Sequence, residues 1–307
     1  MRTVSYTTAL YEAQGYCQKE RVEAFNEAWR VAKEAELTVH VQLYINNSKP
    51  TFAKKMLELY KKDAKFPYLI QDLGKIDHMT NIKKEYKMDA WPELRMLDEK
   101  GGFEKLDEKE YGYEVMDVRV RDIFRLLGHV FNIGIEASLA LNHDFYGILS
   151  GDQILPANHP ATMVDFLDGH ENAGLVSSLC FFDHSKKEVV SKGVVKTYMV
   201  PLIVFRQREG ETEVQRTLRE AWVLANLLPH EENGWKGLEY VDVDAVGTGG
   251  AIIPRKVFTQ LKFNEEEFKG EGEDIAFCLD IRRKLGLKVF IVPSIVIENR
   301  YPYGAKY

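Results

Sequence analysis

Cysteine is scarce: there are three in 307 residues, at positions 17, 180 and 278. None is close to another, which excludes a disulfide framework and a paired-cysteine zinc or iron–sulfur site, and leaves buried thiols in a reducing compartment as the expectation. Long apolar runs are absent too. No stretch approaches the roughly 20 residues that span a bilayer, and the chain enters a strand-like pattern directly after Arg2, so neither an anchor nor a secretory signal is expected. The expected location is cytoplasmic. Nor is there an excess of positive charge: 41 Lys and Arg face 47 Asp and Glu, a net charge of −6. That removes the general electrostatic case for nucleic acid or an anionic membrane as the main partner. The eight histidines show no H-E-x-x-H spacing, and no Gly-x-Ser-x-Gly elbow occurs, which disfavours zinc and serine hydrolases.

What is present is the composition of a soluble globular protein, 45% hydrophobic and 29% charged. The length suits one large α/β domain or two small ones. Val4–Tyr11 reads as a strand, Glu20–Glu36 as a helix with Val22, Phe25, Trp29 and Ala32 near one stripe, and Leu37–Ile45 as a second strand ending in Asn46-Asn47-Ser48. A helix over Thr51–Lys61 and a strand at Phe66–Ile70 complete two strand-helix-strand units, which predict a parallel sheet covered by helices. Residues 71–117 form a charged insertion, read equally as a flap or as a solvated segment. A long helix over Arg119–Asn142 follows, whose glycines point to close packing.

Phe145–Leu149 is then an apolar strand that stops at Ser150-Gly151-Asp152-Gln153, and ligands of open α/β sheets sit beyond such carboxyl ends. Gly174–Phe182 and Val194–Phe205 read as further strands, Glu213–Asn226 as a helix with Leu218, Trp222 and Ala225 on one side, and Pro229–Gly237 as a loop. Gly247-Thr248-Gly249-Gly250 lacks the Lys-Ser/Thr ending of a P-loop and reads as a tight turn. The last third holds Glu273-Asp274 at a helix start, then strands at Lys288–Val292 and Ser294–Ile297.

Two constellations can carry chemistry. Asp152 at a strand end is a candidate ligand for Mn2+ or Mg2+, hard cations that keep waters and accept phosphate oxygens. A solvated strand-end aspartate is the plain alternative. Glu273 and Asp274 are either acid/base groups or residues favoured by the positive end of a helix.

Taken in order, these features resemble glycosyltransferases of the GT-A fold, most like the broad family 2 type that uses nucleotide-diphosphate sugars. The resemblance spans most of residues 3–300 outside the insertion. It implies an α/β fold with a mostly parallel central sheet flanked by helices and a small antiparallel acceptor-side sheet. The single catalytic domain would divide into a donor half of about 1–155 and an acceptor half of about 156–307. The segment Ser5-Tyr6-Thr7-Thr8-Ala9-Leu10-Tyr11 corresponds to the first donor loop, so Thr7, Thr8, Ala9 and Tyr11 are implied donor contacts. Asn47 stands for an acid that contacts the base, and Arg125 and Asn132 of the long helix are implied near the diphosphate. Ser150-Gly151-Asp152 matches the Asp-x-Asp metal motif with serine first, leaving Asp152 as the implied ligand of a divalent cation. Asp274 is implied as the base that deprotonates the acceptor, Glu273 as its support, and Gly249 and Gly250 as acceptor-side backbone. Trp235 is a candidate wall for sugar stacking, together with Trp222 and Tyr240. The partners implied are a nucleotide-diphosphate sugar and a carbohydrate or other hydroxyl acceptor, and a homo-oligomer is compatible. Two other readings stay open: a non-catalytic sugar-nucleotide binder of the same fold, because Asn46, Asn47 and Ser150 replace acids, and a nucleotidyltransferase.

Overall fold

The computed structural model describes residues 2–46, 48–73, 119–182, 203–229, 234–265 and 272–300. Nearly all of the 71–117 insertion, Asn47 and most of 194–205 lie outside them. Strand β1 (Arg2–Leu10) leads through a 3-10 turn (Glu12–Cys17) into α1 (Gln18–Glu34). β2 (Leu37–Ile45), α2 (Pro50–Asp63), β3 (Tyr68–Asp72), α3 (Arg119–Ala140), β4 (Phe145–Ser150), β5 (Gln153–Ile154), α4 (His159–Gly169) and β6 (Ala173–Phe182) follow. The remainder is β7 (Ile203–Val204), α5 (Glu213–Asn226), β8 (Val241–Val243), β9 (Ala245–Val246), β10 (Ala251–Pro254), α6 (Arg255–Phe258), α7 (Gly272–Leu285) and β11 (Lys288–Asn299).

The main sheet runs β3-β2-β1-β4-β10-β6-β11-β5, with β8 also on β11. β3, β2, β1 and β4 are parallel, as the strand-helix-strand reading requires. β10 enters antiparallel between β4 and β6, a long-range insertion with no local signature. A two-stranded antiparallel sheet, β7 with β9, lies apart.

Alternation along β1 divides the core in two. Val4, Tyr6 and Leu10 pack with Val22 and Phe25 of α1 and Met163 of α4, the Tyr6 and Phe25 rings meeting edge-on at 6.0 Å. Residues 5, 7 and 9 face α3. Gln42 bridges Ser5 and Ser138, and Ala9 packs with Tyr44 and Val130. The helix glycines have the expected role: a Cβ on Gly134 would lie 2.2 Å from Thr7 Oγ1, and one on Gly128 would lie 2.8 Å from the Asn264 carbonyl. Close helix–sheet contact needs residues without side chains there.

Two expectations change. The strands read as separate at Lys288–Val292 and Ser294–Ile297 are one, because a register shift between Val292 and Val296 absorbs Pro293; proline within a sheet is tolerated at such bulges. The side of α5 read as apolar does not face the core: Leu218 is 64% and Trp222 57% exposed, and the helix buries Val223 instead.

Candidate functional site

The carboxyl ends of β1, β2 and β4 meet at one edge, and the turn after β4 is tied down from three sides. Gln18 Nε2 donates to the Gly151 carbonyl at 2.7 Å, the Arg300 amide donates to the Asp152 carbonyl at 2.8 Å, and the Ser150 amide donates to Gln153 Oε1 at 2.8 Å. Gly151 is required: a Cβ there would lie 2.0 Å from Gln14 Oε1. The same Gln14 oxygen accepts the Tyr11 amide at 3.1 Å, so the end of β1 and the turn after β4 share one clamp.

Asp152 is half-buried in this frame, and its Oδ1 is buried without a hydrogen-bond partner. Burial pushes its carboxyl above the usual range, against a hydrogen bond from Ser150 and the positive charge of Arg21. Two other side chains at this edge, Tyr11 and the fully buried Asn46, hold buried polar atoms with no partner beyond each other. Burial raises the Tyr11 phenol against a hydrogen bond with the Asn46 side chain, and Glu273 raises it further through space.

Glu273 and Asp274 open α7. Asp274 Oδ1 accepts the Ile275 amide at 2.8 Å, and the carboxylate also accepts the Thr248 amide. Burial raises Asp274 against these bonds, and burial together with the adjacent Asp274 raises Glu273. Thr248 belongs to the glycine turn, which is tight as its sequence predicts: the Ala251 amide donates to the Thr248 carbonyl at 2.9 Å, and Gly250 has φ +85. A Cβ on Gly249 would lie 2.5 Å from Gln153 Nε2. The glycine turn therefore links Asp274 to the residue after Asp152, while Tyr11 links the Asp152 clamp back to Glu273.

A buried network supports the turn from below. The Gly250 carbonyl is 3.0 Å from His159 Nε2, so Nε2 carries the proton, and Nδ1 accepts the Tyr6 hydroxyl at 2.8 Å. Burial lowers His159 to about 4, consistent with a neutral ring. Nothing in the sequence singled out this histidine.

The other implied donor residues are placed differently. Thr7, Thr8 and Ala9 are at most 3% exposed. Thr7 lies beneath Gly134, and Thr8 Oγ1 accepts Arg21 Nη2 at 2.9 Å. Asn132 clamps the 261–265 segment, exchanging hydrogen bonds with the Phe263 backbone at 2.9 and 2.8 Å and donating to Glu265 at 2.5 Å, so its amide is engaged by the chain itself. Arg125 is in α3, but its side chain lies outside the described residues, as does all of Asn47. Trp235 is 38% exposed, its indole N–H donating to the Asn226 carbonyl at 3.3 Å. Of the strand-end residues, Glu298 pairs with Arg300 at 2.7 Å, and Asn299 accepts the Cys180 thiol at 3.0 Å. The three cysteines are free and buried, as expected.

No protein-family model matches the sequence, and no curated protein matches it. Among solved structures, the crystal structure of GalNAc-T7 with UDP, GalNAc and Mn2+ is similar at a TM-score of 0.53 and 12% identity, over 98% of this chain and 44% of that one. The chain has a GT-A fold. Other similar structures are S. aureus TarS, at a TM-score of 0.47 and 12% identity over 98% of this chain and 37% of that one, and the mannosyltransferase PcManGT from Pyrobaculum calidifontis in complex with GDP-Man and Mn2+. The latter has a TM-score of 0.46 and 12% identity over 96% of this chain and 56% of that one. The chain thus spans less than two thirds of the length of each. No helix among the described residues is long and apolar enough to cross a membrane.

The GT-A frame raises the question of a metal. Among the described residues no group of three His, Cys, Asp or Glu converges. The free Oδ1 of Asp152 and the Ser150 hydroxyl offer two hard oxygens, which suit a Mg2+-like ion whose other positions are filled by water and phosphate. They fit a cation shared with a phosphate-bearing ligand, not one held by protein groups alone.

Proposed function

We propose that the chain is a glycosyltransferase that moves a sugar from a nucleotide-diphosphate sugar to an acceptor hydroxyl, with Mn2+ or Mg2+ shared between Asp152 and the donor. The observation that carries this reading is the buried polar edge of the sheet, where Asp152 Oδ1 has no partner and Tyr11 and Asn46 have none beyond each other. A buried polar atom without a partner costs about 1–3 kcal/mol, and a bound nucleotide with its cation would meet these groups. GalNAc-T7, which shares the fold, is described with UDP, GalNAc and Mn2+, in support.

Asn46 takes the base-side role first given to Asn47, and as an amide it both donates and accepts. Asp274 is the base: burial strengthens it, and the Ile275 and Thr248 amides hold its orientation. It takes the acceptor's proton as that oxygen attacks the anomeric carbon, while Glu273 holds the acceptor. Direct displacement of the diphosphate inverts that carbon. The divalent cation, when bound, offsets the charge growing on the leaving diphosphate. Gly249 and Gly250 bring backbone close to the acceptor, with Trp235 as an outlying stacking surface.

A non-catalytic sugar-nucleotide binder is the second reading, favoured by Ser150 and Asn46 standing where the resemblance expects acids. The test is binding and slow hydrolysis of a panel of nucleotide-diphosphate sugars with Mn2+ or Mg2+, native chain against Asp152→Asn. Metal-dependent binding that the variant loses, with sugar released by the native chain, supports the transferase. Binding without release supports the second reading, and absence of binding overturns both.

A further inference from the structure

Arg21 on α1 is 1% exposed, and among the described residues its guanidinium meets only neutral acceptors. Nε donates to the Gln153 carbonyl at 3.0 Å, Nη1 to Gln18 Oε1 at 3.1 Å and Nη2 to Thr8 Oγ1 at 2.9 Å. Its carbon lies 5.7 Å from the centroid of the Phe25 ring. Other arginines of the chain reach carboxylates: Arg2, Arg30, Arg208, Arg216, Arg219, Arg282 and Arg300 all form ion pairs. Arginine stays charged when buried, and a buried charge is costly unless another charge answers it. Two of the three groups it grips belong to the Asp152 turn or to its clamp: Gln153 follows Asp152, and Gln18 also holds the Gly151 carbonyl at 2.7 Å. Asp152, with its unpartnered oxygen, sits within this frame.

We propose that Arg21 is the fixed counter-charge of the Asp152 turn, holding the turn in place and making divalent-cation binding conditional on the donor's diphosphate. The inference rests on the donor-site reading above and gives that site an order of binding. With serine at 150, the turn offers a single negative charge, and Arg21 brings one positive charge beneath it. A divalent cation approaching alone gains little from a neutral pair. A diphosphate brings the missing negative charge, so nucleotide and cation enter together. Arg21 touches neither and is a positioning residue.

The test is Mn2+ binding followed by the paramagnetic resonance of free Mn2+, with and without UDP or GDP, in the full chain and in Arg21→Met and Arg21→Lys. The native chain should bind Mn2+ weakly alone and at least about tenfold more tightly with one of the nucleotides. Arg21→Met, which removes the charge, should tighten Mn2+ binding without nucleotide on the order of tenfold. Arg21→Lys, which keeps the charge but loses the fork, should stay as weak as the native chain. Equal Mn2+ affinity in the Met and Lys variants overturns the proposal, as does tight nucleotide-independent binding by the native chain. That second arm decides even where the Met variant does not fold. A chain that binds neither nucleotide at any Mn2+ concentration overturns the donor-site reading instead, while the contrast between the two variants still judges Arg21.

Discussion

Two aspartates of this chain end short segments at strand boundaries and have opposite surroundings. Asp244, between β8 and β9, is 3% exposed and saturated: Arg208 Nε lies 3.1 Å away, Arg219 Nη1 3.2 Å and Arg282 Nε 3.5 Å, and the Arg206 amide donates at 2.9 Å. Its neighbour Asp242 takes Arg282 at 2.7 Å and Arg208 at 3.1 Å. Asp152, after β4, has one oxygen without a partner and a buried guanidinium nearby that does not touch it. Asp242-Val243-Asp244 spells an Asp-x-Asp in full, yet its carboxylates are the ones already satisfied by cations of the chain. The degenerate Ser150-Gly151-Asp152 keeps a buried oxygen without a partner. Spelling does not separate a structural acid from one available to a ligand; the surrounding charges do.

The sharpest way to break that contrast is to remove each charge in turn. Asp244→Asn leaves three guanidinium groups around a neutral amide and should cost about 3–5 kcal/mol of stability in urea unfolding, the usual effect of breaking a buried ion pair from one side. Asp152→Asn should cost clearly less, about 1–2 kcal/mol: it takes the counter-charge from Arg21, but no guanidinium touches that carboxylate and burial already disfavours its charge. Equal losses in the two variants would erase the distinction.

The network under the glycine turn gives the next largest effect. His159 is neutral when folded, with its value lowered from 6.5 to about 4. The unfolded chain therefore binds more protons between these values, so His159 favours folding fully above pH 6.5 and loses that contribution as pH falls toward 4. The loss reaches about 3 kcal/mol, at 1.36 kcal/mol per unit. His159→Gln can still accept from Tyr6 and donate to Gly250 but does not titrate. Subtracting its pH–stability curve from the native one should leave this slope; identical curves would mean that the imidazole is not held neutral.

Much of the frame was legible because local rules governed it. β2 and α5 have the limits read from the sequence, Leu37–Ile45 and Glu213–Asn226, the first fixed by alternation into a polar end. At the start of α5, Thr212 and Gln215 form a reciprocal cap. That Asp152 follows a strand end and Glu273-Asp274 open a helix was also legible, since strand ends and helix starts are where polar groups lack backbone partners. What was not legible depends on distant contacts. β10 inserts between strands more than 70 residues away on both sides. Arg21 drew no notice in the sequence, because its role depends on Gln153 and Thr8 being brought to it. Asn132 reads as a donor ligand until Phe263 claims its amide. The complete burial of the Asn46 amide is likewise not encoded in the sequence pair.

The smallest expected change in stability tests the comparison most finely. Ser150→Asp restores at the open site the pair of acids that 242–244 already spells, without bringing an arginine into contact. Ser150 is only half-buried and holds Gln153 through its backbone amide, so the fold loses only the side-chain hydrogen bond to Asp152 and should change by about 1 kcal/mol. Mn2+ affinity without nucleotide should rise on the order of tenfold, because one added charge changes the attraction for a divalent cation while Arg21 stays fixed. The same titration of free Mn2+ measures it. An unchanged affinity would mean that residue 150 does not face a cation held by Asp152. The unpartnered oxygen would then belong to an anion-free pocket, and the likeness to the metal turn would be one of position alone.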